Sequence, residues 1–238
     1  MRHTFLYPLH LALPVMGSLL FLLYFCVTGG SSGAQVSGYA EVIGIALPFA
    51  VSIVCAGSVG LEEKNHFQVF LGGTLCKGNS FLAKYLALLG LGSLAVLAAV
   101  LLFGAGYGGL PGKENLSFRV YGWLAVILCA GSIPLYLEHL FLNLMFSKQV
   151  SLSVSVAQFL LSALFLTGLG DGRWLFFPCT WSAKGAALFL AYATGNVREN
   201  IFIGKMRGVS LVCLLLMSAL CVIIGVWFRF YEGRQCDD

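Results

Sequence analysis

Few side chains in this chain have the types and spacing that catalysis requires. Glu138 and His139 form the only adjacent acid–histidine pair, and His3, His10 and His66 have no evident partner. A general acid or base inside an apolar protein needs such a partner. We expect His139 to be an interfacial histidine without a role, at the edge of an apolar helix. An intramembrane enzyme stays open as the alternative hypothesis.

Nucleotide and metal chemistry have no clear site either. No glycine-rich phosphate loop followed by Lys-Ser or Lys-Thr occurs, so we expect no nucleotide hydrolysis by this chain. The eight cysteines are scattered without a Cys-x-x-Cys spacing. We expect them to be small apolar packing residues and not metal ligands. The sequence therefore predicts a chain with no catalytic residues, no metal and no cofactor of its own.

Six long uncharged stretches make up much of the chain. Each has about the 20 residues that a helix needs to cross a hydrocarbon core. The chain is 59% hydrophobic and 10% charged, whereas a soluble domain usually carries about 25% charged residues. We expect no charge at depth in any of the six, which argues against a proton-driven or sodium-driven carrier. The stretches are Leu11–Val27, Val42–Leu61, Tyr85–Leu110, Val120–Leu137, Val150–Gly170 and Ser210–Phe228.

The predicted fold is an all-α integral membrane protein of six transmembrane helices in a single domain, residues 1–238. The first stretch follows Arg2, and we interpret it as a span that stays in the mature protein, with a signal peptide as the alternative. We expect Gly29–Glu41 to be a short flexible loop without basic residues, whereas lysines follow the second stretch. By the positive-inside rule, both termini are then expected in the cytosol.

A short amphipathic segment, Glu62–Lys84, lies between the second and third stretches. Its apolar residues recur at i, i+3, i+4 and i+8, which places them on one face of a helix. Two acidic residues begin the segment, and these suit a helix N-terminus. We expect a short cytosolic helix whose exposed aromatic residues either anchor it at the interface or dock on a partner. Its candidate functional residues are Glu62, Glu63, Lys64, Phe67, Gln68, Phe70, Leu71 and Leu75.

The longest region outside the six stretches is Asp171–Val209. Aromatic residues cluster around a proline, as in an interfacial aromatic belt. The apolar run Gly185–Thr194 is too short to span, which favours a re-entrant or interfacial helix. The aromatic cluster consists of Trp174, Phe176, Phe177, Pro178 and Trp181.

Two short motifs add a family resemblance. The first is Glu63-x-x-x-Phe67-Gln68-x-x-Leu71, followed by Phe81-x-x-Lys84, and the second is Phe177-Pro178-x-x-Trp181-Ser182. With six spans and a long outer segment before the last, the chain resembles the permease subunit of a type-2 ABC exporter. More narrowly, it resembles the permeases of lantibiotic immunity and bacteriocin self-protection transporters.

The resemblance implies partners and a cargo. The expected partners are an ABC ATPase dimer, which carries ATP and Mg, a second permease subunit that is either a related chain or a second copy, and membrane lipids, but no nucleic acid. Residues Glu62–Leu75 would form the helix that couples the ATPases to the spans. The cargo would be an amphipathic antimicrobial peptide, exported from the bacterial cell membrane to give self-immunity. The outer aromatic cluster would either contact that peptide or anchor the loop. The alternatives are a type-2 permease for another lipophilic substrate and a structural or sensory membrane protein.

Overall fold

The computed structural model describes residues 6–72, 77–114 and 116–232, and these residues form helices and short connections. The all-α prediction is confirmed for them. A 3-10 turn at Gly168–Gly170 and another at Trp174–Phe176 lie between the sixth and seventh α-helices. The α-helices are α1 Leu6–Val27, α2 Ser32–Glu63, α3 Gln68–Gly72, α4 Lys77–Tyr107, α5 Phe118–Met145, α6 Lys148–Leu166, α7 Pro178–Ala193 and α8 Glu199–Arg229.

Five of these helices are long and apolar enough to cross a membrane: α2, α4 from Gly78 onward, α5, α6 and α8. The apolar part found in α1 is shorter and covers Pro14–Val27. The chain is thus a multi-pass membrane protein, with five of the six expected spans supported by helix length and composition.

Helix α2 begins much earlier than expected. Its first helical residue is Ser32, so the prediction of a flexible loop over Gly29–Glu41 is wrong. Buried side chains hold this first part of α2 in place, because the Tyr107 hydroxyl donates to Gln35 Oε1 at 2.6 Å and Tyr39 stacks on Phe103 at 3.7 Å. Tertiary packing has overridden a composition of Gly and Ser that favours a loop.

Helix α5 also continues past its predicted end. Leu140 and Leu144 are fully or almost fully buried, so they do not form the separate interfacial segment that we expected after Leu137. Glu138 therefore lies inside a helix that can span the membrane, as does Lys84 in α4. The expectation that no span contains a charge is wrong.

Helix α7 packs at the centre of the bundle against α2 and α5. A Cβ atom on Gly44 of α2 would lie 2.5 Å from Ala183 Cα, and one on Gly131 of α5 would lie 2.7 Å from the Ser182 backbone nitrogen. These glycines allow helix backbones to approach closely. The short apolar helix predicted over Gly185–Thr194 exists and starts earlier, at Pro178.

The helices α2, α5 and α8 finish at one end of the bundle, where α4 and α6 begin and where α3 lies; we call this the α3 end. Helix α8 is the most loosely packed of the long helices, with only Ile224 and Phe228 buried along its length. The opposite end carries the α1–α2 connection and the residues after α4. There Lys113 Nζ donates to the Thr28 carbonyl at 2.8 Å.

Candidate functional site

The segment between α2 and α4 differs from the helix that the sequence predicted. Glu62 and Glu63 end α2 and do not start a new helix. Residues 64–67 form a turn, in which His66 and Phe67 adopt positive φ angles of 49° and 55°. Such angles reverse the chain direction and are uncommon for residues other than glycine. The helix α3 that follows has only five residues, and Leu75 lies outside the described residues.

The two aromatic residues of this segment are buried within the chain. Phe67 is 1% exposed and Phe70 is 5% exposed. Phe67 packs edge-on against Tyr231, with ring centroids 6.2 Å apart, and Phe70 packs against Phe228 at 5.8 Å. The prediction that they are exposed for docking on a partner is therefore wrong. They attach the turn and α3 to the end of α8.

A buried ion pair lies beneath these rings. Lys84 Nζ donates to Glu62 Oε1 at 2.7 Å and to the Ser58 carbonyl at 3.1 Å. The same ammonium group lies 5.1 Å from the centre of the Phe70 ring, in cation–π geometry. The Lys84 side chain is 5% exposed and that of Glu62 is 18% exposed. We call the assembly of Glu62, Phe67, Phe70, Lys84, Phe228 and Tyr231 the Lys84 cluster.

The outward surface of this segment is polar. Lys64, Asn65, His66 and Gln68 are exposed, whereas Leu71 is partly buried against the core. We call these four exposed residues the polar turn surface. The segment thus has two faces, because aromatic residues attach it to α8 while polar and basic residues face away from the bundle.

A second group of buried polar side chains joins α2, α5 and α6. His139 Nδ1 lies 3.0 Å from Ser151 Oγ, and His139 Nε2 lies 3.0 Å from Gln158 Oε1. The Gln158 amide donates to both carboxylate oxygens of Glu138, at 2.9 and 3.0 Å. Ser52 Oγ lies 2.9 Å from Ser151 Oγ. We call Ser52, Glu138, His139, Asn143, Ser151 and Gln158 the polar network.

The directions of these hydrogen bonds follow from the carboxylate. Because Gln158 donates its amide to Glu138, its oxygen accepts from His139 Nε2–H, which leaves Nδ1 as the acceptor for the Ser151 hydroxyl. Ser151 Oγ in turn accepts from Asn143 Nδ2 at 2.8 Å and from Ser52. The chain of donors therefore runs from Ser52 to Glu138.

The Ser151–His139 contact is the type of pair that nucleophilic catalysis uses. Here Ser151 Oγ already accepts two hydrogen bonds, and the side chains of Ser151 and His139 are both fully buried. This geometry favours a packing role that ties three helices together. The expectation that His139 lies at the interface without partners is wrong.

The outer aromatic cluster divides into buried and exposed members. Trp174 is 5% exposed and Trp181 is 3% exposed, whereas Phe176 is 66% exposed and Phe177 is 39% exposed. Trp181 Nε1 donates to the Leu175 carbonyl at 2.9 Å. The prediction of one interfacial belt is therefore wrong for both tryptophans, which belong to a small core with Phe165. Pro178 occupies the first turn of α7, where a missing N–H costs nothing.

Several members of these sites escaped the sequence reasoning. Lys84 had been noted only as part of a motif, and Ser58, Phe228 and Tyr231 had no signal that linked them to the α2–α4 segment. Within the described residues, no three or more His, Cys, Asp or Glu side chains are grouped to hold a metal ion. The chain matches no known family model, no curated protein and no solved structure.

Proposed function

We propose that this chain is the membrane-spanning subunit of an ABC transporter of the type-2 exporter class. In this proposal α1 supplies the sixth span, both termini face the cytosol, and the α3 end faces an ABC ATPase dimer in the bacterial cell membrane. ATP and Mg are held by that partner. A second permease subunit, either related or identical, completes the complex.

The observation that carries the proposal is the two-faced segment between α2 and α4. Its polar turn surface faces away from the bundle, and its buried aromatics contact α8. The Lys84 ion pair connects the same region to α4. A push on the exposed face would therefore move the ends of α4 and α8 together. That is the mechanical connection a transporter needs between a cytosolic motor and its spans.

The contact with the ATPase differs in this proposal from the one that the sequence predicted. Lys64, His66 and Gln68 meet the ATPase, while Phe67 and Phe70 hold the segment to the membrane helices. The cargo is an amphipathic antimicrobial peptide of the lantibiotic type, extruded from the membrane for self-immunity. The exposed Phe176 and Phe177 are the aromatic residues available to meet it.

Co-expression with the ABC ATPase encoded next to this gene tests the subunit role. We expect a complex that survives purification in mild detergent and an ATPase rate that changes when the chain is present. The double substitution Lys64→Glu and Gln68→Glu should reduce complex recovery without lowering the unfolding temperature of the chain. Arg119→Glu, an exposed charge at the opposite end, is the matched control and should leave the complex intact.

Cell survival under challenge with nisin, a lantibiotic, tests the cargo separately. Cells that carry the chain and its ATPase should tolerate more nisin than cells carrying the Lys64→Glu, Gln68→Glu variant. A complex that forms without raising tolerance to nisin would favour the alternative, a type-2 permease for another lipophilic substrate. Absence of any complex with the wild-type chain would refute the subunit role.

A further inference from the structure

A cavity of about 590 Å³ lies between α4 and α8 at the α3 end. Phe81 and Tyr85 of α4 and Phe228 of α8 contribute aromatic walls, and Leu137 of α5 also lines it. Arg229, in the last turn of α8, is the charged residue among those that line it. A cavity of this size falls within the range of ligand sites in proteins, roughly 300–1,000 Å³.

Two glycines keep this cavity open. A Cβ atom added to Gly78 of α4 or to Gly225 of α8 would meet no other heavy atom within 4 Å. Both residues line the cavity, so no side chain of the described protein fills the space beside them. Leu82 lies on the same stretch of α4 and is 52% exposed. Because α4 and α8 are both spanning helices, the cavity is a groove that opens towards hydrocarbon.

The groove has the length of part of one lipid leaflet. From Gly78 to Tyr85 the helix rises about 10 Å at 1.5 Å per residue, and half of a bilayer hydrocarbon core is about 15 Å thick. The groove starts at the first turn of α4 and the last turn of α8, where the two helices leave the membrane. It is therefore placed to take an acyl chain that enters from one leaflet.

Arg229 supplies the polar end of the groove. It is exposed and takes part in neither ion pair found among the described residues, Lys84–Glu62 and Lys184–Asp171. A guanidinium at the end of a spanning helix lies at headgroup depth, and its planar donors match a phosphate group. A cationic amphipathic peptide would be repelled by this charge.

We propose that the groove between α4 and α8 binds a glycerophospholipid with a negatively charged headgroup. One acyl chain lies along Gly78 and Gly225, and the phosphate accepts hydrogen bonds from Arg229. This inference does not depend on the proposed transport function, because any multi-pass protein with this groove would bind the same lipid. The bound lipid joins α8, which has few packing contacts of its own, to α4.

Native mass spectrometry of the full chain, delipidated and then mixed with phosphatidylglycerol or phosphatidylcholine of the same acyl chains, tests the site. We expect the wild type to retain phosphatidylglycerol roughly tenfold better, the factor that one charge-assisted contact gives. Arg229→Gln should lower phosphatidylglycerol retention to that of phosphatidylcholine. Gly225→Leu fills the groove and should lower the retention of both lipids.

Gly208→Leu is the matched control, because Gly208 lies on the same helix and also has open space around it. It lies outside the residues that line the groove and should bind both lipids as the wild type does. Equal retention of the two lipids by the wild type would overturn the proposal. So would equal effects of Gly225→Leu and Gly208→Leu. A detergent-stable dimer that Gly225→Leu alone disrupts would assign the groove to a second copy and overturn it too.

Discussion

The polar network and the Lys84 cluster both bury polar side chains between helices, and α2 contributes to both. Ser52 belongs to the network and Glu62 to the cluster, about 15 Å further along the helix. The network joins α2, α5 and α6 by hydrogen bonds that run towards Glu138. The cluster joins α2 to α4 by an ion pair and, through aromatic rings, to α8.

The difference between the two regions separates a rigid part of the molecule from an attached part. The network lies beside α7, where glycines bring helix backbones into contact. The cluster lies where the short α3 and the loosely packed α8 meet the bundle, and its outer surface is polar. A force applied at α3 therefore acts first on α4 and α8, while α2, α5 and α6 are held together independently.

The largest expected effect comes from breaking the ion pair of the Lys84 cluster. Glu62→Gln leaves the Lys84 ammonium buried with only the Ser58 carbonyl and the Phe70 ring as partners. We expect the free energy of unfolding to fall by about 3 kcal/mol, as for other buried pairs that lose one member. Unfolding by sodium dodecyl sulfate in mixed micelles, followed by tryptophan fluorescence, measures it.

The double substitution Glu62→Gln with Lys84→Met is the control for this prediction. It removes both charges, so it should cost less than Glu62→Gln alone. A loss below about 1 kcal/mol for Glu62→Gln would mean that the pair behaves as an exposed one. The cluster would then not differ from a surface contact.

The second prediction concerns the polar network. His139→Ala removes the hydrogen bonds to Ser151 and Gln158 and leaves their buried polar atoms without those partners. We expect a loss of about 2 kcal/mol in the same unfolding assay, less than for a buried charge. Complex formation with the ATPase should persist, because the network does not include the polar turn surface.

His139→Gln, which can keep part of the hydrogen bonding, is the conservative control and should lose less stability than His139→Ala. Loss of biological activity in His139→Ala with stability and complex formation both unchanged would contradict the packing role. That result would support the alternative of an intramembrane enzyme, with Ser151 as its nucleophile.

These two regions also show what the sequence was able to predict. The apolar stretches predicted the spanning helices α2, α4, α5, α6 and α8, and a short run predicted α7. Helix ends were wrong wherever a polar residue continued a helix. Lys84 and Glu138 lie just outside the uncharged stretches, and only packing between helices reveals that both belong to spanning helices.

The pattern at Phe67 and Phe70 was ambiguous for a different reason. A repeat of apolar residues identifies the face of a segment that is covered, but not what covers it. The same repeat is compatible with a groove in a partner and with the end of α8, more than 150 residues later. Contacts at such a separation leave no local signal, so the docking surface was assigned to the wrong residues.

The third prediction compares two serines on α2. Ser52 Oγ bonds to Ser151 Oγ, whereas Ser58 Oγ is buried without a hydrogen-bond partner among the described residues. Ser52→Ala should therefore lower the free energy of unfolding by about 0.6 kcal/mol, the average for a hydrogen bond between membrane helices. Ser58→Ala should raise it by a similar amount, since it removes an unsatisfied hydroxyl. Equal losses in both variants would show that Ser58 has a partner in solution.

The smallest expected effect tests the turn that presents the polar surface. His66 adopts a φ of 49° and is exposed, so His66→Gly relieves a backbone conformation that side chains disfavour. We expect a gain of about 0.5 kcal/mol in the unfolding assay. Asn65→Gly is the matched control. Asn65 precedes the positive φ angles, and its side chain donates to the Leu61 carbonyl at 3.3 Å, so glycine there should lower stability. If both glycines lower stability, the turn is not strained at His66. The polar turn surface would then owe its shape to the aromatic contacts of the Lys84 cluster alone.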